Sequence, residues 1–119
     1  MFYIFLVSRV LFGGYFILNG VHHLLKGSSM VGYTASKKVP MPKVMIILSG
    51  LLILLGGLGI LIGFMVPFSV LFIEIFLVVV TFIMHDFWNQ KDPGARAMEY
   101  IQFTKNLALM GGALAFLFI

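Results

Sequence analysis

His85 and Asp86 stand together in Phe82-Ile83-Met84-His85-Asp86-Phe87-Trp88-Asn89, where an oily segment ends in a crowd of polar side chains. An imidazole titrates near neutral pH and can exchange a proton with a bound oxygen, and a neighbouring carboxylate can orient it. Lys105 and Asn106 add a cationic donor and a carboxamide that both donates and accepts. His23 supplies a second imidazole from the first quarter of the chain. Metal ligation by His22, His23, His85 and Asp86 is the other chemistry these residue types allow. Adjacent residues on a helix diverge by about 100°, so His22 and His23 are poor joint ligands, and no metal site is predicted. The chain has no cysteine, which excludes thiol redox chemistry, disulfides and thiolate metal sites. It also lacks a glycine-rich phosphate loop and a serine nucleophile motif.

These side chains need elements to hold them, and the composition says which. Of the 119 residues 61% are hydrophobic and 10% charged, and the mean hydropathy is +1.12. Soluble domains carry about a quarter charged residues, so this chain cannot cover a core with a water-facing surface. The lipid bilayer is its solvent. A crossing takes about 20 apolar residues, which limits this length to four crossings with short loops in one domain, 1–119. The predicted fold is all-α: an integral membrane four-helix bundle with antiparallel neighbours. Its helices are placed at about 2–25, 44–63, 67–88 and 100–119. The first is read as a retained helix, because no small-residue cleavage site precedes the first loop.

Pro40 and Pro42 disfavour helix before the second run, and Asp92-Pro93-Gly94 signals a turn before the fourth. Four crossings put both termini on one face. The opposite face carries Lys26, Lys37, Lys38, Lys43, Lys91 and Arg96 in its two longer loops. By the positive-inside rule those loops are cytoplasmic and both termini outside. The formal charge of +4 therefore reads as topology against an anionic leaflet, not as nucleic-acid binding.

At 100° per residue, Arg9, Gly13, Phe16, Gly20 and His23 share one stripe of the first helix. Glu74, Val78, Thr81, His85 and Trp88 share one on the third, and Glu99, Gln102, Asn106, Leu109 and Ala113 one on the fourth. Ser49, Gly56 and Gly63 align on the second. Arg9 and Glu74 each lie about 10 Å in from the terminus side. A charge inside lipid normally faces the bundle interior with a partner, so an intramembrane ion pair between them is predicted. On the loop side, His23, His85, Asp86, Trp88, Lys105 and Asn106 are the candidate ligand-binding residues. A pocket for a polar head group with an apolar body is one reading, and an interfacial belt of Trp and His the other. Gly59 and Gly63 make a small-xxx-small spacing, read as packing within the chain rather than a dimer seam.

These residues together resemble the DoxX family of small four-helix membrane proteins. The resemblance is carried by Arg9 with Gly13-Gly14 to Asn19-Gly20, Tyr33-Thr34-Ala35, Lys38-Val39-Pro40, Ser49-Gly50, Leu55-Gly56-Gly57 and Gly63. Thr81, His85-Asp86-Phe87-Trp88, Arg96 and Phe103 to Gly112 extend it to nearly the whole chain. It implies a bundle in a prokaryotic cytoplasmic membrane. Some relatives serve respiratory redox systems, including a thiosulfate:quinone oxidoreductase subunit and an assembly with superoxide dismutase and a sulfurtransferase. On that footing the expected function is the membrane subunit of a redox system, with a quinone or similar amphiphile as ligand and a soluble redox enzyme as partner. His85, Asp86, Lys105 and Asn106 are the matched positions that would carry it, with Asp86 orienting His85. The alternatives are a non-enzymatic scaffold that anchors a soluble partner, and a carrier using the Arg9 and Glu74 layer as a relay. Oligomeric state stays open.

Overall fold

The computed structural model describes all 119 residues. They form α1 (Phe2–Lys26), a short α2 (Val31–Ser36), α3 (Pro42–Ile62), α4 (Val66–Ile83) and α5 (Pro93–Ala115), with 3₁₀ turns between α1 and α2, between α4 and α5, and after α5. The segments built on α1, α3, α4 and α5 are long and apolar enough to cross a membrane. There are no strands. The all-α four-helix bundle is the observed architecture, and the helices present leucine, isoleucine and valine outward where lipid would lie.

The element ends follow local chemistry. Pro42 and Pro93 open α3 and α5, where the missing N–H costs nothing. The Asp92 carboxylate accepts the Ala95 N–H at 2.8 Å and caps α5. α3 closes at Gly63, whose φ of +71° suits glycine, with the Phe64 N–H donating to the Gly59 carbonyl at 2.9 Å.

Three boundaries differ from the sequence reading. α5 begins at Pro93, not near Tyr100, because Asp92-Pro93 is a cap and first helical residue as well as a turn signal. The stretch read as a loop from Lys26 to Lys43 contains a 3₁₀ turn and α2, a helix too short to show a period. α4 stops at Ile83, not at Trp88. Phe87 and Trp88 instead turn onto Phe103 of α5, with edge-on ring centroids 5.3 and 5.7 Å away. His85 and Trp88 therefore leave the α4 stripe. The inward line of α4 is Val70, Ile73, Leu77 and Thr81, while Val78 is exposed and Glu74 lies only partly buried.

α3 is the central helix. It packs on α1 along one face and on α4 along another, and α4 packs on α5. Lipid tails are as apolar as leucine, so helices in a bilayer associate through close packing at small residues. Here the contact is backbone to backbone. A Cβ on Gly57 would lie 2.7 Å from the Gly13 carbonyl oxygen, and one on Gly20 would lie 2.8 Å from that of Gly50. On the next face, a Cβ on Gly56 would meet Ile73 at 2.8 Å, and Gly59 closes on Ser69. Ile53, Ile60, Ile73, Leu77, Phe16 and Ala113 fill the core between these seams. The first and fourth crossings meet through Phe12, which stacks on Phe116 at 5.1 Å and covers Gly112.

The Arg9–Glu74 ion pair does not form. Arg9 Nε donates to the Ile60 carbonyl at 3.0 Å, and the guanidinium fills the space beside Gly63. That places Arg9 level with the end of α3, whereas Glu74 lies eight residues into α4, about 12 Å deeper. α1 overhangs the α3–α4 turn, so counting both helices from a common membrane plane brought the two side chains together on paper only. Glu74 Oε1 is buried without a hydrogen-bond partner. The relay needed by the carrier reading is therefore missing.

The two kinds of glycine predict opposite outcomes. Gly57→Val should lower stability by about 3 kcal/mol or more by forcing α1 off α3, and Gly14→Ala, with nothing within 4 Å of its Cβ, should leave it nearly unchanged. Thermal unfolding in mild detergent measures both.

Candidate functional site

Glu99 is the hub of the loop-side polar cluster. It is held 9% exposed near the start of α5 and gathers three groups from two other segments, α2 with its C-cap and the residues after α4. Tyr33 of α2 donates its hydroxyl to Glu99 Oε2 at 2.7 Å. Lys37 Nζ lies 2.9 Å from the same oxygen, and His85 Nδ1 lies 3.2 Å from Oε1. Lys37 also reaches Asp86 Oδ1 at 2.5 Å. Asp86 further accepts from Asn89 at 3.1 Å and Gln90 at 3.3 Å. Burial of Lys37 would by itself lower its pKa, but its hydrogen bonds to Asp86 and Glu99 and the charge of both carboxylates hold it above the ordinary lysine value. The lysine stays charged, and it ties α2 to the ends of α4 and α5.

The expected partnership of Asp86 with His85 is thus replaced. Glu99 orients His85, and Asp86 turns to Lys37 instead. The reason is the break in α4: successive residues in a non-helical segment point apart, so neighbours in sequence do not share a partner. Tyr33, Lys37 and Glu99 are the residues the candidate set lacks. Glu99 shared a stripe with Asn106, and that was the available signal. Tyr33 and Lys37 sit in a stretch read as a loop, where periodicity carries no information.

Beneath this cluster is a half-open cavity of about 710 Å³, lined by α1, α3, α4 and α5 and roofed by α2. Its walls are apolar, with Leu52, Phe76, Val79 and Val80 among them. Its polar lining includes Asn19, His23, His85, Gln102, Lys105 and Asn106. Four of the six candidate ligand-binding residues therefore meet at one cavity. The other two do not: Asp86 is committed to the ion-pair cluster, and Trp88 is 47% exposed against Phe87 and Phe103.

Each polar wall residue has a definite state. His23 Nδ1 faces the Ile46 carbonyl at 3.3 Å and Ser49 Oγ at 3.1 Å. A ring nitrogen against a carbonyl must carry the proton, which leaves Nε2 as the acceptor of the neutral ring. The same holds for His85, whose Nδ1 faces the Glu99 carboxylate. Lys105 donates to Gln102 Oε1 at 2.6 Å and to the Tyr15 hydroxyl at 3.1 Å, bridging the first and fourth crossings at the cavity rim. Asn106 is the exception. It is 5% exposed and makes no side-chain hydrogen bond to the protein. Its amide atoms are not sealed inside the protein but border the cavity, where a polar group of a ligand can reach them.

The DoxX family model matches residues 4–86. The chain belongs to the DoxX family. Neither the curated proteins nor the solved structures yield a match. The matched span takes in α1 to α4 and the His85-Asp86 pair and stops before α5. In this DoxX protein, a multi-pass membrane protein, Glu99, Lys105 and Asn106 thus complete from outside the matched span a site whose other half lies within it.

The cluster yields a sharp contrast between neighbouring lysines. Lys37→Met leaves two carboxylates without their cation and should cost about 3–5 kcal/mol. Lys38→Met removes an exposed charge and should cost less than about 1 kcal/mol. Denaturant-induced loss of helix in detergent separates the two.

Proposed function

We propose that this chain is the membrane subunit of a redox system in a prokaryotic cytoplasmic membrane and that it binds a quinone in the loop-side cavity. The Asn106 carboxamide, unpartnered at the wall of a mostly apolar chamber, supports this reading most directly. A quinone has what the walls lack: a ring bearing oxygens that hydrogen-bond, on an apolar body. The cavity volume lies in the range that takes such ligands. Asn106 and Lys105 donate to the carbonyl oxygens of the oxidised form. His85 and His23 accept through Nε2 from the hydroxyls of the reduced form. Glu99 keeps His85 in the required tautomer. Electrons come from a partner redox protein, for which the exposed Lys26, Lys38 and Lys43 on the loop face offer a cationic landing surface. By the charge bias those loops lie in the cytoplasm, with the termini outside. The same lysine face is what a pure anchoring role would use, and the ligand decides between the two.

Mass spectrometry of what co-purifies in mild detergent tests this. Wild-type protein should carry quinone near one per chain, and a folded His85→Ala/Asn106→Ala variant should lose it. Bulk phospholipid alone in both samples would sink the quinone reading and leave the scaffold.

A further inference from the structure

At the opposite end of the bundle a smaller cavity of about 140 Å³ opens, with Phe5, Arg9, Ile60, Gly63, Phe116 and Ile119 in its wall. Arg9 is the only polar side chain in its wall. Of the five guanidinium N–H donors, the Nε–H is spent on the Ile60 carbonyl at 3.0 Å. The four on the Nη atoms have no acceptor in the protein, and Arg9 makes no ion pair. The group is nevertheless held in place. Nε is fixed by a carbonyl that the Gly63 turn frees from its helical partner, the Phe64 N–H having gone to Gly59. Phe5 lies 5.4 Å from the guanidinium carbon at its ring centroid. At Gly63 a Cβ would collide with the guanidinium, so the absent side chain is what makes the space. A fixed planar fork with its outer edge free fits the oxygens of a phosphate.

The position selects the source. Arg9 stands at the level of the α3–α4 turn, which joins two segments long enough to cross a membrane, and the end of a crossing is where phospholipid head groups begin. We infer that Arg9 and the small cavity form a binding site for the phosphodiester of a net-anionic phospholipid in the leaflet around the termini. The preference for a net-anionic head group follows from the acidic residues. Asp86, Asp92 and Glu99 are at the other end of the bundle and Glu74 is about two helical turns deeper. No acidic side chain lies here to receive the ammonium of a zwitterionic lipid, and the carboxylate of Ile119 at the cavity makes no ion pair with Arg9. The site is separate from the loop-side cavity and does not rest on the quinone reading.

Native mass spectrometry of delipidated protein, titrated with phosphatidylglycerol or phosphatidylcholine, reads the site directly. Wild type should hold one more phosphatidylglycerol than Arg9→Gln, with about tenfold tighter retention of that lipid. Arg9→Lys, which keeps charge but loses the fork, should fall between. Loop-side lysines bind equally in all three and cancel. Equal phosphatidylglycerol retention by wild type and a folded Arg9→Gln would overturn the inference. If Arg9→Gln does not fold, wild type and Arg9→Lys decide, and equal retention of both lipids in both proteins overturns it. Inorganic phosphate is added in a parallel arm. Displacement of the lipid at millimolar phosphate would mean a site for the free anion and would overturn the lipid assignment, whereas no displacement supports it.

Discussion

The structure depends on the backbone contact between α1 and α3. In lipid the hydrophobic effect does not press helices together, so their association rests on packing. Gly13 against Gly57 and Gly20 against Gly50 let the two backbones touch at two levels one above the other. The α3–α4 contact is different. Its small residues, Gly56, Gly59 and Ser69, all lie toward the turn that joins the helices. Toward the loop side α3 presents Met45, Leu48 and Leu52, and α4 presents Phe76, Val79 and Val80, all of them cavity walls. The close approaches between the two helices are thus at the turn, and their bulky side chains at the other end line the cavity.

A space of this kind needs a roof that does not depend on packing, and the ion-pair cluster supplies it. α2 has six residues and buries only Thr34, too little to dock by apolar contact. Tyr33 and Lys37 dock it through Glu99 and Asp86 instead. Charges so placed are expensive to desolvate, and they hold because each has more than one partner. The cluster also reaches the cavity through His85, whose ring is fixed by the carboxylate that holds the roof. Closure of the site and orientation of its imidazole therefore share one residue, Glu99.

Much of this was visible in the residues. Membrane residence, four crossings and the all-α bundle follow from composition and from apolar runs of membrane length, because lipid leaves a backbone few ways to satisfy itself. The first-helix stripe through Gly13, Phe16 and Gly20 and the fourth-helix stripe through Glu99, Asn106 and Ala113 are buried as read. Those helices are regular over the residues concerned, so a fixed angle per residue holds. Of the α4 stripe only Thr81 is buried as read: the helix stops at Ile83, before His85 and Trp88, and its inward face runs through Leu77 rather than Val78.

The sequence by itself determined which residues lie in the bilayer and which surface of α1 and α5 turns inward, since both depend on polarity and period alone. Tertiary structure decided the partners. Arg9 met a helix end instead of Glu74, because the helices start at different depths, and depth is a relation between elements that no single run encodes. Glu99 took His85 from Asp86 because a break in the backbone turns neighbours apart. Asn106 was legible as inward-facing, but only the assembled bundle decided that no residue of another helix meets its carboxamide.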